Sequence, residues 1–290
     1  MLRDLKKITI SVALATLMAG TNLLADGKLS LVSSGTGDLD NMTIKAYNTI
    51  KEADIVFTMG GKAGKFEELV KGKPIYDAGH GMFRQKSKED NEKAKNEKPK
   101  VEEKKDEKAK GEQRERKSPE EIAKQENEYR SIIRDGIKNG KNIVIIDNGD
   151  PTIYGPHIGF VKEFKDLNPK IIPGMSSFNA ANAALQTAVI GGDKNASGVT
   201  LTIGSADNKL INKLADTGST MVFFMDRKFS DFMANLQKLY PKDTPIAIVI
   251  EAGSADKERV ILGTVDTMEG IIGTEKIPFN HLVYVGNFLK

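Results

Sequence analysis

The sequence predicts an α/β protein of two dissimilar domains, and three observations carry that expectation. In the first half, short apolar runs alternate with segments of helical spacing, the pattern of a parallel sheet with helices on its faces. In the second half, the last apolar runs follow one another without helices between them, which points to a mixed sheet. Three strand-to-helix turns are built from glycine and small polar residues. At 290 residues and 39% hydrophobic content, the chain is long enough to bury two such cores.

The first domain begins at Leu29-Ser30-Leu31-Val32, a strand that runs into Ser33-Ser34-Gly35-Thr36-Gly37-Asp38. Helical spacing follows from Met42 to Glu52, then a strand at Asp54-Ile55-Val56-Phe57 and a weaker one at Pro74-Ile75-Tyr76. Residues 84–118 break the rhythm with 14 Lys and Arg against 10 Asp and Glu and almost no apolar residue. Such a stretch buries too little surface to offset its ordering entropy, so it is expected to be a solvated, disordered insertion. Removing it leaves the rest of the chain nearly neutral and poor in aromatic residues, which argues against a nucleic-acid surface.

Order resumes at Ser118-Pro119-Glu120-Glu121, a helix start with a serine cap, proline in the first turn and acids facing the positive helix end. That helix is expected to run to Lys138, with Asn139-Gly140 ending it before the apolar strand Ile143-Val144-Ile145-Ile146. Asn148-Gly149-Asp150-Pro151 then turns into a helix expected from Pro156 to Leu167, with Lys170-Ile171-Ile172 as the next strand. An alanine-rich helix spans Ser176 to Thr187, and Gly191-Gly192-Asp193-Lys194-Asn195 is read as the interdomain linker. The domains are thus 26–190 and 191–290. In the second, strands are expected at Val199–Ile203, Met221–Met225, Ile246–Ile250, Arg259–Leu262 and Leu282–Val285, with helices near Asn208–Leu214 and Phe229–Leu239.

The first 25 residues read as an export signal. Arg3, Lys6 and Lys7 precede an apolar run from Ile8 to Ala19 that is too short to span a bilayer, with cleavage after Ala19, Thr21 or Ala25. A retained membrane anchor is the competing reading. The absence of cysteine excludes disulfides, thiolate metal sites and a lipoprotein anchor, and it suits an oxidising compartment.

Three loops share one design, each following a strand and opening a helix: Gly35-Thr36-Gly37-Asp38, Asn148-Gly149-Asp150-Pro151 and Pro173-Gly174-Met175-Ser176-Ser177. On these residues the chain resembles the tetrapyrrole methylases, the S-adenosylmethionine-dependent enzymes of corrin and sirohaem synthesis. The family's Gly-x-Gly-Pro-Gly-Asp loop is matched by Ser33 to Asp38, with Ser33 for the first glycine and Thr36 for the proline. Its Gly-Asp-Pro turn corresponds to Gly149-Asp150-Pro151, and its Val-Pro-Gly-x-Ser/Thr-Ser helix start to Ile172 through Ser177. In the second domain, Thr220 to Met225 and Glu251-Ala252-Gly253 continue the likeness in order.

The resemblance implies two unlike α/β domains around a cleft, a tetrapyrrole substrate, S-adenosylmethionine with no metal, and a homodimer. It implies cofactor contacts at Thr36, Asn148, Gly149, Asp150, Ile153, Ser176, Ser177, Met225 and Gly253, with Met175 helping to shield the apolar part. No catalytic side chain is assigned, Asp38 being the one candidate. Arg227, Lys228 and Lys62 are candidate partners for peripheral carboxylates. Met59 stands where the sirohaem branch has a proton-accepting Asp, while Ala78-Gly79-His80-Gly81-Met82 is similar to a segment of the precorrin-4 branch. Of the three histidines, His281 is read as structural, His157 as a helix-surface residue and His80 as the candidate haem or metal-centre ligand.

Export conflicts with a donor made in the cytoplasm. Beside the methyltransferase stands an alternative, an exported, periplasmic protein that binds a tetrapyrrole or haem without catalysis. A third reading is an interaction protein using the charged insertion. No membrane span is expected after signal removal.

Overall fold

A computed structural model describes residues 27–84, 117–191, 198–204, 208–224 and 228–289. The expected export signal, nearly all of the charged insertion, the linker beyond Gly191, and Met225 with Arg227 lie outside the described residues.

The first sheet is parallel. It comprises β1 (Leu29–Ser33), β2 (Ile55–Thr58), β3 (Ile75–Asp77), β4 (Ile143–Asp147) and β5 (Lys170–Ile172), in the order β3-β2-β4-β1-β5. β4 and β1 are buried on both faces, which is why their apolar runs are continuous rather than alternating. Alternate side chains still serve different layers. Ile143 and Ile145 pack with Tyr129, Ile133 and Phe160, while Val144 and Ile146 pack with Ala46, Ile50 and Val70.

The helices supply those layers. α1 (Ile44–Lys51) and the short α2 (Glu67–Val70) cover one face, and α3 (Pro119–Lys138) and α4 (Ile158–Glu163) the other. The expected cap of α3 is present: the Ser118 hydroxyl accepts from the Glu121 amide, and the Glu121 carboxylate accepts from the Ser118 amide. α4 begins at Ile158 rather than Pro156 and ends at Glu163, with a tight turn at Lys165–Leu167 completing the expected span. The delay has a local cause. The His157 amide donates to the Asp147 carboxylate (3.3 Å), which ties the entry of the helix back to the end of β4.

α5 (Ser177–Ala184) leaves the first sheet and packs on the second. Ala180 and Ala181 are buried against Val222, Phe224, Ala247, Leu282 and Tyr284, and their small size lets the helix lie close to the strands. The Tyr284 hydroxyl donates to Asn182 Oδ1 (2.8 Å), and burial raises the pKa of that phenol.

The second sheet contains β6 (Val199–Ile203), β7 (Thr220–Phe224), β8 (Pro245–Ile250), β9 (Arg259–Thr264) and β10 (His281–Val285), in the order β6-β7-β10-β8-β9. Only β6 and β7 pair in parallel, so the sheet is mixed as expected. α6 (Asn208–Ala215) and α7 (Phe229–Leu239) cover its other face. The expectation that the last strands follow without a helix is corrected by α8 (Met268–Ile272), a single turn between β9 and β10 that buries Met268 and Ile272. Two apolar anchors one turn apart are too few to give a readable period.

Phe57 is fully buried in the first core and meets Tyr76, Tyr129 and Phe160 at centroid separations of 5.2, 5.0 and 5.8 Å. Phe57→Ala is therefore expected to cost about 3–5 kcal/mol of stability, read as a lowered urea midpoint with an unchanged slope.

Candidate active site

The three glycine-bearing loops lie at the carboxyl ends of β1, β4 and β5, which are neighbours in the sheet and run the same way. They are joined to one another. The Gly149 amide donates to the Gly35 carbonyl (2.9 Å), and Ser34 Oγ donates to Asn148 Oδ1 (3.1 Å). Ser33 Oγ donates to the Gly149 carbonyl, and a side chain on Gly174 would collide with that same hydroxyl. Gly149 has a positive φ of 65°, which favours glycine, and lies in ordinary contact with Ser176 and Ser177.

The second domain closes this edge through the turn after β8. The Gly253 carbonyl accepts from the Asp38 amide (3.0 Å) and from Asn41 Nδ2 (2.6 Å), which also donates to the Thr36 carbonyl (2.9 Å). Asp38 Oδ2 accepts from the Ala255 amide (2.7 Å), and the Gly253 amide is held by Glu258 Oε2 (2.8 Å). Gly37 is required here by contact as well as by its φ of 67°, because a methyl group would run into the Gly253 carbonyl. Lys65 Nζ donates to the Gly37 carbonyl (2.7 Å). Burial moves the Lys65 ammonium below the ordinary lysine value, with the Asp38 charge partly offsetting that shift.

The residues expected to hold a cofactor thus come together along one edge. Thr36, Asn148, Gly149, Asp150, Ser176, Ser177 and Gly253 all belong to the linked loops. Ile153 is 43% exposed beside them in the turn after β4. Met225 lies outside the described residues, but its neighbour Phe224 stacks on Tyr154 at 5.8 Å, so β7 ends against the Gly-Asp-Pro turn. Some of the polar groups are already engaged. Ser176 Oγ caps α5 by accepting from the Asn179 amide, and Asp150 Oδ1 accepts from the Thr152 amide (2.8 Å). Backbone groups are therefore what these loops chiefly offer a ligand.

Asp38, the catalytic candidate, uses its carboxylate in the interdomain contact. Lys228 lies 4.0 Å from Asp231 on the surface, Lys62 is exposed, and Arg227 is outside the described residues. His281 begins β10 and is buried, with Nδ1 2.7 Å from the Pro278 carbonyl, as the structural reading expects. The helix-surface reading of His157 is corrected: it is 1% exposed, with its ring turned inward to the Gly79 carbonyl, because α4 starts at Ile158, two residues later than expected. His80 is exposed, and among the described residues no group of three His, Cys, Asp or Glu is gathered to hold a metal ion.

Asn41 and Lys65 were not singled out by the sequence. Their roles depend on partners brought close only by folding, such as Asn41 with Gly253, 212 positions away. Two cavities of about 460 and 340 Å³, beside Leu262 and Tyr240, are lined by residues other than these loops.

Two unlike α/β domains meet across glycine loops at the carboxyl edge of a parallel sheet, the place where open α/β sheets bind ligands. The chain belongs to the tetrapyrrole (corrin/porphyrin) methylases, whose family model matches residues 28–269. A cobalt-precorrin-4 C(11)-methyltransferase of Methanocaldococcus jannaschii is 25% identical, over 91% of this chain and 88% of that protein. A siroheme synthase of Actinobacillus pleuropneumoniae is 26% identical over 91% of this chain, which spans about half (48%) of that protein's length. Among solved structures, a cobalt precorrin-4 methyltransferase of cobalamin biosynthesis superposes with a TM-score of 0.61 at 21% identity, covering 93% of this chain and 99% of that one. A uroporphyrin-III C-methyl transferase from Thermus thermophilus, complexed with S-adenyl homocysteine, gives 0.59 at 19% identity, covering 91% and 99%. At those identities the superpositions establish the fold.

Asn41→Ala leaves two carbonyls at the domain junction short of a donor and is expected to cost about 1–3 kcal/mol in chemical unfolding. Asn41→Asp, which sets a carboxylate against both carbonyls, is expected to cost more and to speed proteolysis between the domains.

Proposed function

We propose that this chain is an S-adenosylmethionine-dependent C-methyltransferase acting on a tetrapyrrole or corrin-type macrocycle, with precorrin-4-like compounds as the first substrates to test. The observation that carries the reading is the convergence of the Gly35, Gly149 and Gly174 loops with Gly253 at one edge, in a chain of this family. The cobalt-precorrin-4 C(11)-methyltransferase named above is matched over 88% of its length by this chain, which favours the catalytic reading over a binding-only one.

The residues present fit an adenosyl cofactor, because three glycine loops bring backbone amides and carbonyls together at the carboxyl edge of one parallel sheet. S-adenosylmethionine, when bound, supplies an electrophilic methyl group on a positively charged sulfonium. The chain's own part is to hold and orient. Thr36, Asn148, Gly149, Asp150, Ser176, Ser177 and Gly253 would take the polar parts, and Ile153, Met175 and Met225 would keep water from the apolar side. In-line displacement demands a ring carbon held roughly 3–3.5 Å from the methyl carbon, so positioning accounts for most of the catalysis expected of such a site. Lys62 and Lys65 are cations on the same side of the molecule for the macrocycle's carboxylates.

Export to the periplasm and assembly as a homodimer belong to the same proposal. The first rests on Arg3, Lys6 and Lys7 ahead of Ile8–Ala19, the second on the family resemblance; among the described residues no helix is long and apolar enough to cross a membrane. The leader is also the observation that favours the second reading, an exported tetrapyrrole- or haem-binding protein without catalysis. Isothermal titration with S-adenosylmethionine, followed by mass spectrometry of macrocycles incubated with protein and donor, separates the two. A saturable heat and a product heavier by one methyl are expected. Macrocycle binding with no donor binding would overturn the enzyme reading in favour of the second.

A further inference from the structure

Resting on that reading, we propose that Asp77 and His157 are positioning residues for the macrocycle, acting through one polar chain from the end of β4 to the loop after β2. The chain starts at Asp147, 2% exposed, whose carboxylate accepts from the His157 amide (3.3 Å). His157 Nδ1 stands 3.3 Å from Asp147 Oδ1 without a hydrogen bond between them, so the amide is the link to Asp147. On the other side of the ring, Nε2 donates to the Gly79 carbonyl (3.0 Å). The Gly79 amide in turn donates to Asp77 Oδ1 (3.0 Å), and the same oxygen accepts from the Gly60 amide (2.6 Å).

Each link holds a piece of backbone that cannot hold itself. Gly60 and Gly61 are consecutive residues at φ of 78° and 64°, with no side chains to pack the turn they form. Asp77 supplies the fixed point. Its own backbone is anchored, since the Tyr129 hydroxyl donates to the Asp77 carbonyl (2.8 Å) from α3. It is Asp147 and His157 that are nearly fully buried, which is costly where apolar residues would fill the space, so that pair is better accounted for by what it orients than by stability.

The loop that the chain holds faces the part of the edge left open. β2 lies on the far side of β4 from β1, so the Met59-Gly60-Gly61 turn is set away from the Gly253 contact. Met59 is 38% exposed there, and the neighbouring turn after β4 exposes Ile153 (43%) and Tyr154 (49%). A flat macrocycle set beside the adenosyl loops would extend along this side of the edge, towards Met59 and Tyr154. Asp77 and His157 set the position of its Met59 wall.

The test uses the full chain, S-adenosylhomocysteine titrated by calorimetry, and uroporphyrin III titrated by fluorescence quenching. Asp77→Ala is expected to weaken uroporphyrin III binding roughly tenfold while S-adenosylhomocysteine affinity stays within about twofold. Asp77→Asn, which keeps an acceptor for both amides, is expected to restore most of the loss. His157→Phe is expected to repeat the Asp77→Ala pattern, and the double variant to be little worse than either single, as for residues acting in series. If His157→Phe fails to fold, the Asp77 pair decides alone. Unchanged porphyrin affinity in Asp77→Ala, or equal losses for Ala and Asn, would overturn the positioning role while wild-type binding of both ligands keeps the function reading. Wild-type protein that binds neither ligand would sink both.

Discussion

The Gly253 carbonyl accepts from a backbone amide and a side-chain amide of the other domain, and the site's shape depends on that contact. The approach is possible because Gly37 and Gly253, both at positive φ, carry no side chains where the two backbones meet. Glu251, two residues earlier, is also held at a φ of 47°. Its carboxylate receives Asn280 Nδ2 at 3.2 Å, which links the strained turn to the start of β10.

Around this junction the molecule divides its labour by chemistry. Stability comes from two pairs of apolar layers, since each sheet is covered on both faces. The site is made almost wholly of backbone groups at strand ends, so it adds little to either core. α5 is the mechanical link between the two. It begins at the Ser176 cap on the first sheet's edge and buries its alanines on the second, so neither sheet can move without disturbing the Ser176-Ser177 turn.

Much of the fold was legible in the sequence because buried parallel strands are short continuous apolar runs, as in Ile143 to Ile146, and because Ser118 with Glu121 marks a helix start chemically. The glycine loops were legible as well, since their spacing needs no distant partner to be noticed. What stayed hidden depends on approach in space. Asn41 reads as an ordinary turn residue until Gly253 is beside it. His157 reads as helix surface if the helix starts at Pro156, yet a start two residues later leaves it before the helix with its ring inward. α8 was missed because its two buried residues span a single turn.

Amide hydrogen exchange with and without S-adenosylhomocysteine tests the central claim most directly, because it reports on all the loops at once. One shared pocket predicts simultaneous slowing of exchange in segments 35–38, 148–155, 174–178 and 251–255, with the edge strand β9 unaffected. Protection confined to one domain, or none at saturating ligand, would contradict the account.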